Sequence, residues 1–176
     1  KPLPPVELAF EDGTRIRSDA PGLDAQLAAR LGWDAKFVMR AESVPAYEHA
    51  PIHALTSATL DAAAKHYPVG KFAPERFRPN VFIETAGATG FAESQWLGAR
   101  FAIGGIEFPI KEDCVRCVMT TLPQGDLPKD PGILAAVTEA NRQHAGVYCD
   151  VSGAGTIRVG DPGLLVGSPA VSDSAA

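Results

Sequence analysis

The residues best suited to chemistry are two cysteines, Cys114 and Cys117, which lie three positions apart with Arg116 between them. Upstream, residues 76–80 read Arg-Phe-Arg-Pro-Asn and place a further arginine, Arg78, before a strand-like run. A deprotonated thiol is a soft ligand for transition metals, and a guanidinium group binds carboxylate or phosphate through two parallel hydrogen bonds. The combination indicates a transition metal carried by an anionic cofactor.

Three other interpretations of the cysteine pair stay open. A structural zinc ion needs four ligands, so the pair would need Cys149 and a histidine to complete the site, from the set His49, His53, His66 and His144. A redox dithiol of the thioredoxin type is expected where a strand turns into a helix, whereas a strand pattern follows Cys117. The third interpretation is a pair of inert, half-buried thiols, because free cysteine is commonly buried.

The elements that must position these residues are short. Alternating and β-prone runs predict strands at residues 6–10, 14–17, 35–40, 80–84, 101–103, 106–110, 117–121, 146–151 and 156–159. Helices are predicted at residues 21–31, at residues 58–66 behind a Thr56 or Ser57 cap, and from Pro131 to about residue 144 behind Asp130. The 17 glycines and 15 prolines favour many turns, with hairpin turns predicted at residues 11–13 and at Gly104-Gly105 and a helix stop predicted at Gly32. Residues 42–50 are predicted to be irregular. We therefore expect an α+β, mainly β fold: a barrel or sandwich with helices at its rim.

The direction of the side chains near the cysteines can also be predicted. If the chain is extended here, residues 114 and 116 face one side and residues 115 and 117 face the other. Cys117 and Arg116 would then point apart. Arg78 is the better partner for a ligand at Cys117, and Arg116 is expected to be structural.

Composition excludes several classes of protein. Apolar residues make up 45% and charged residues 21% of the 176 residues, as in ordinary globular proteins. The net charge of −5 and the lack of a Lys/Arg cluster argue against nucleic-acid binding. No apolar run reaches the roughly 18 residues of a membrane span, so no membrane association is expected. Three cysteines do not make a disulfide framework, which favours a cytoplasmic location.

Five segments, taken in order, resemble one family. They are residues 51–60 (PIHALTSATL), 76–80 (RFRPN), 114–117 (CVRC) with Thr120 and Thr121, 146–148 (GVY) and 155–161 (GTIRVGD). This set resembles the MOSC domain, the C-terminal domain of molybdenum-cofactor sulfurase, and in particular bacterial MOSC proteins and the amidoxime-reducing component. The resemblance covers residues 6–166. Residues 1–5 are expected to be a linker or a truncated N-terminal segment, and residues 167–176 a disordered tail.

The resemblance implies a MOSC-type β-barrel with peripheral helices that binds molybdenum cofactor (molybdopterin). Cys117 matches the catalytic thiolate that is bonded to molybdenum in the amidoxime-reducing type. The other positions implied as cofactor-binding are Arg78, Asn80, Cys114, Arg116, Thr120 and Thr121. The implied activity is the reduction of N-hydroxylated compounds with electrons from a separate haem or iron–sulfur protein.

The sequence also departs from the family. Val115 replaces a small polar residue, and the N-terminal segment that normally grips the cofactor phosphate is not recognised before residue 6. The family is further associated with sulfur transfer and with pyridoxal phosphate, although no lysine here has a convincing Schiff-base context. Two alternatives to the oxidoreductase are therefore kept: a carrier of sulfur or cofactor that uses a persulfide on a cysteine, and a structural or zinc-stabilised β domain.

Overall fold

The computed structural model describes residues 4–38, 47 and 49–167, and the chain forms two compact units, residues 1–46 and 47–176. The first unit contains strands β1 (Glu7–Ala9) and β2 (Arg15–Arg17), which pair antiparallel, and helix α1 (Leu23–Leu31). The hairpin and the helix confirm the predictions. Gly32 ends α1 as expected, because its φ of 75° suits glycine and its N–H donates to the carbonyl of Ala28.

One predicted strand of this unit is wrong. Residues 35–38 have no regular structure, and residues 39 and 40 lie outside the described residues. The predicted irregular segment at residues 42–50 and the predicted disordered tail also fall largely outside them.

The second unit is built on a curled, half-barrel sheet of six strands in the order β4-β3-β7-β6-β5-β8. The strands are β3 (Ile52–Thr56), β4 (Val81–Ile83), β5 (Arg100–Ile103), β6 (Ile106–Val115), β7 (His144–Cys149) and β8 (Gly163–Val166). Strands β3 and β4 pair in parallel, and the other neighbours are antiparallel. The predicted hairpin at Gly104 and Gly105 joins β5 to β6. The expected mainly β fold with peripheral helices is confirmed.

Within the described residues of this unit, three helices and two 3₁₀ helices surround the sheet: α2 (Ser57–His66), α3 (Pro74–Phe77), α4 (Gly132–Asn141), Ala92–Trp96 and Val118–Thr121. Thr56 caps α2 as predicted, since its hydroxyl accepts from the N–H of Thr59 at 3.2 Å. Helix α4 ends earlier than predicted because Arg142 and Gln143 adopt φ angles of 50° and 72°. None of the helices in the described part of the chain is long and apolar enough to cross a membrane.

Two further strand predictions are wrong. Residues 118–121 form a 3₁₀ helix, because the hydroxyls of Thr120 and Thr121 donate to the carbonyls of Cys117 and Val118 at 3.0 and 2.7 Å and close a turn locally. Residues 156–159 have no regular structure, and the last strand is β8, which the sequence analysis missed.

The core consists of two hydrophobic clusters on opposite faces of the sheet. Ala54 and Leu55 are neighbours in β3 and so face opposite sides. Ala54 joins the first cluster, in which the rings of Phe101 and Phe108 stack with centroids 4.8 Å apart. Leu55 joins the second cluster, which includes residues of α2 and α4. The half-barrel is thus packed on both faces, and the candidate site lies where β6 and α3 end.

Candidate functional site

Cys117 is the accessible thiol of the chain. Strand β6 ends at Val115, and Cys117 is extended (φ −122°, ψ −178°) directly before the 3₁₀ helix Val118–Thr121. Cys117 is exposed, whereas Cys114 and Cys149 are buried, and all three are free thiols. Val115 and Val118 on either side are also exposed, at 57% and 60%. The predicted ligand therefore lies on a partly apolar surface.

Arg116 points into the protein. Its Nη1 donates to Cys114 Sγ at 2.7 Å, its Nη2 donates to the carbonyl of Phe77 at 2.6 Å, and its guanidinium carbon lies 5.6 Å from the centre of the Phe77 ring. The backbone N–H of Arg116 donates to Gln143 O at 2.8 Å, and Gln143 Nε2 donates back to Arg116 O. These contacts support the expected structural role. Cofactor binding by Arg116 and Cys114 stays a prediction.

Arg78 and Asn80 follow α3. Arg78 adopts a left-handed conformation (φ 52°, ψ 50°), and its side chain is exposed. Asn80 is hydrogen-bonded to His53 of β3 in two places. Its Oδ1 accepts from the N–H of His53 at 2.8 Å, and its own N–H donates to His53 O at 2.8 Å. A left-handed non-glycine residue costs energy and persists only where its surroundings fix it. The Arg78 turn is therefore held in place by its contacts on both sides.

The structure brings the Arg78 turn and the Cys117 turn together. Phe77, the residue before Arg78, is hydrogen-bonded to Arg116, the residue before Cys117. A second link, from Arg76 Nη1 to the carbonyl of Thr120 at 3.4 Å, joins α3 to the 3₁₀ helix behind Cys117. An exposed thiol and an exposed guanidinium thus lie at one edge. The buried hydroxyls of Thr120 and Thr121 donate to the carbonyls of Cys117 and Val118, and cofactor binding by these two residues stays a prediction.

A buried polar cluster lies beside this edge. His53 Nε2 is 3.3 Å from Arg116 Nη1, and burial together with the nearby guanidinium lowers the pKa of His53 to about 4. Burial raises the pKa of the Cys114 thiol, and Arg116 acts in the opposite direction. Burial and the hydrogen bond to Cys114 raise the pKa of Tyr148 to about 12. At neutral pH, His53 and Tyr148 are therefore uncharged.

The zinc interpretation finds no support in the described residues. Across residues 4–38, 47 and 49–167, no three His, Cys, Asp or Glu side chains are grouped as metal ligands. Cys149 lies within the core cluster on β7, where burial, with a smaller contribution from Asp150, raises its pKa to about 12. Among the described residues, Cys114 and Cys117 thus lack the two further partners that a structural zinc ion requires.

The comparison with protein families decides the classification. A family model described as "MOSC domain" matches residues 28–162. The chain belongs to the MOSC domain family. A search of curated proteins gave no significant match. The MOSC domain is a domain of the molybdenum-cofactor-sulfurase type, which is consistent with molybdenum-cofactor binding in general.

The residues of this MOSC domain fit a metal that is already coordinated by an organic cofactor. Such a metal needs few protein ligands, and an accessible thiol suits a soft centre. Arg78 adds an exposed guanidinium, which can bind a phosphate or a polar ring edge through two hydrogen bonds. The donor set of Cys117 and Arg78 is thus chemically matched to an anionic, metal-bearing cofactor.

Sequence reasoning missed two buried charged residues of the MOSC domain. Arg76 is 1% exposed and Glu93 is 0% exposed, and each is surrounded by hydrogen-bond partners. The available signal was weak: Arg76 stands in the segment 76–80 that carries the resemblance, but only Arg78 and Asn80 of that segment were predicted to have a role.

Proposed function

We propose that this MOSC protein binds molybdenum cofactor with Cys117 as the metal ligand and acts as the cofactor-bearing component of an oxidoreductase for N-hydroxylated compounds. The observation that carries the proposal is the position of an exposed Cys117 next to the turn of Arg78. Arg116 links the two turns through the carbonyl of Phe77. The bound cofactor would supply two-electron redox chemistry at its metal.

The protein's own part in this function is binding and orientation. Cys117 would provide the thiolate ligand. Arg78 would neutralise negative charge on the cofactor. Arg116 would hold the backbone before Cys117 through its contacts with Phe77 and Gln143. The electrons would come from a separate haem or iron–sulfur protein.

The surface beside Cys117 offers a place for substrate. An open groove of about 600 Å³ begins at Val118, the residue after Cys117, and runs along α4. Its lining is mostly apolar, with one charge of each sign: Val118, Thr121, Lys129, Pro131, Leu134, Ala135, Thr138 and Glu139. This volume suits a small organic molecule. We propose that the apolar body of the substrate lies there while its N-hydroxyl group faces the metal.

The experiment compares two single-cysteine variants with the wild type, all produced in a host that makes molybdopterin. Cys117→Ala should lose molybdenum and the reduction of a simple amidoxime by a chemical electron donor, while keeping its circular dichroism spectrum. Cys149→Ala, a buried thiol away from the edge, serves as the control and should keep both. Retention of molybdenum by Cys117→Ala would remove the proposed ligand.

The exposure of Cys117 also supports a second function, sulfur delivery. In that case the Cys117 thiolate would attack the outer sulfur of a donor persulfide, form its own persulfide and release the donor thiolate. Intact-mass measurement under non-reducing conditions after incubation with a persulfide donor should show a gain of one sulfur atom, absent in Cys117→Ala. An unchanged mass would exclude this role.

A further inference from the structure

The segment that carries Cys117 is held by two side chains, Arg76 and Gln124, that donate hydrogen bonds to backbone carbonyls. We infer that Arg76 and Gln124, here called the Arg76–Gln124 bridge, are positioning residues that set the Cys117 turn against the Arg78 turn. The consequence for metal binding rests on the proposed function. The positioning itself is a property of the protein alone and can be measured without cofactor.

Arg76 is the first half of the bridge. Its guanidinium donates to three carbonyls: Nε to Lys71 O at 3.0 Å, Nη1 to Thr120 O at 3.4 Å and Nη2 to Pro128 O at 2.9 Å. A buried cation is costly unless its donors are satisfied, so these carbonyls must stay in place. Arg76 therefore links α3, the 3₁₀ helix behind Cys117 and the loop before α4.

Gln124 is the second half. Its Nε2 donates to Arg76 O at 3.3 Å and to Met119 O at 3.1 Å, so one amide group connects the backbone of α3 with that of the 3₁₀ helix. The backbone of Gln124 is itself fixed, because its N–H and carbonyl pair with Leu127 at 3.0 and 2.9 Å. The amide group of Gln124 is therefore carried by a turn whose backbone is already closed by hydrogen bonds.

The chemical requirement at position 124 follows from this geometry. Both partners are carbonyl acceptors, so only a donor can replace the amide nitrogen of Gln124. A glutamate side chain has the same shape as glutamine, but its carboxylate carries only acceptors and cannot donate to these two carbonyls. Lysine is long enough and has three donors. Because Gln124 is only half-buried and belongs to neither hydrophobic cluster, removing its side chain leaves the buried core intact.

The experiment uses Gln124→Ala, Gln124→Glu and Gln124→Lys in metal-free and molybdenum-loaded protein. Amide hydrogen exchange is read at Thr120 and Leu122, whose N–H groups close the 3₁₀ turn on Cys117 O and Met119 O at 3.2 and 3.3 Å. The alanine and glutamate variants should exchange at these amides about fivefold faster, the factor expected for about 1 kcal/mol of lost hydrogen bonding. Molybdenum per folded chain should fall in both variants, and the lysine variant should recover both values.

Gln26→Ala is the matched control, an exposed glutamine on α1, and should change neither measurement. Arg76→Lys tests the buried half and should also speed exchange at Thr120. Unchanged exchange at Thr120 and Leu122 in Gln124→Glu would overturn the positioning role. Faster exchange with full molybdenum content would show that the bridge does not serve the metal site. A wild type without molybdenum would refute the proposed function, and the exchange measurements would then decide the bridge alone.

Discussion

Replacement of Glu93 should reveal a buried polar anchor behind the site. The Glu93 side chain is fully buried in the 3₁₀ helix Ala92–Trp96. Its Oε2 accepts from the hydroxyls of Thr56 and Thr59 at 2.5 and 2.6 Å, and its Oε1 accepts from the N–H of Gly146 at 3.0 Å. One carboxylate therefore ties the end of β3, the start of α2 and strand β7 together.

The magnitude follows from the three donors. In Glu93→Gln the amide group keeps the shape, but its NH₂ cannot accept, so at least one donor of the set loses its partner. A hydrogen bond to a charged group contributes about 1.5–3 kcal/mol, and a buried donor without a partner costs about 1–3 kcal/mol. We expect Glu93→Gln to lower the free energy of unfolding by about 2–3 kcal/mol. Glu93→Ala, which also leaves a cavity, should lower it by about 4 kcal/mol.

Urea denaturation followed by circular dichroism measures both changes. The matched control is Glu107→Gln, because the Glu107 side chain is 44% exposed and pairs with Arg100 at 2.9 Å. That variant should change stability by less than about 1 kcal/mol. In a double-mutant cycle, Glu93→Gln and Thr59→Val should be non-additive by at least about 0.5 kcal/mol. A loss below about 1 kcal/mol for Glu93→Gln, or strict additivity with Thr59→Val, would refute the anchoring role.

Three further predictions concern the glycine, the thiols and the histidine near the site. Gly146→Ala should destabilise the protein by more than about 3 kcal/mol in the same assay, because its φ is 86° and a Cβ would clash with the backbone carbonyl of β3 at 2.7 Å. An aromatic disulfide reagent should modify Cys117 within seconds in the native protein, but Cys114 and Cys149 only on unfolding; fast reaction of all three would contradict the burial. The pKa of His53 falls on folding from 6.5 to about 4. Between these two pH values the unfolded chain binds one proton more than the folded protein, so stability is lost as the pH falls from 6.5 towards 4. The loss should reach about 3 kcal/mol and be absent in His53→Gln, and an equal acid sensitivity of both proteins would exclude His53 as its source.

Local sequence signals predicted the turns and helix caps whose hydrogen-bond partners are close in the sequence. The turn at Gly104 and Gly105 and the Thr56 cap of α2 depend on neighbouring residues, so both could be identified from the sequence. The family resemblance likewise depends on ordered local segments, and the match over residues 28–162 confirms it.

Contacts between distant segments could not be predicted. The carbonyl partners of Arg76 at Thr120 and Pro128 lie 44 and 52 positions away in the sequence. The donors to Glu93 lie 34 to 53 positions away. No periodicity marks a buried charge whose partners are supplied by tertiary structure, so neither residue was assigned a role from the sequence.

The strand errors have a similar cause. Residues 117–121 are β-prone, yet the two threonine hydroxyls bond back to local carbonyls and close a turn. Strand β8 (Gly163–Val166) is mostly exposed and lies at an edge of the sheet, so it lacks the alternation of a half-buried strand. Propensity alone could not distinguish these cases.

The metal content of the wild-type protein is the most direct test of the proposed cofactor binding. Protein purified from a host competent in molybdopterin synthesis should be analysed by plasma mass spectrometry, with pterin measured in the same sample. We expect nearly one molybdenum atom and one pterin for each chain. A folded protein that carries stoichiometric zinc, or neither molybdenum nor pterin, would contradict it.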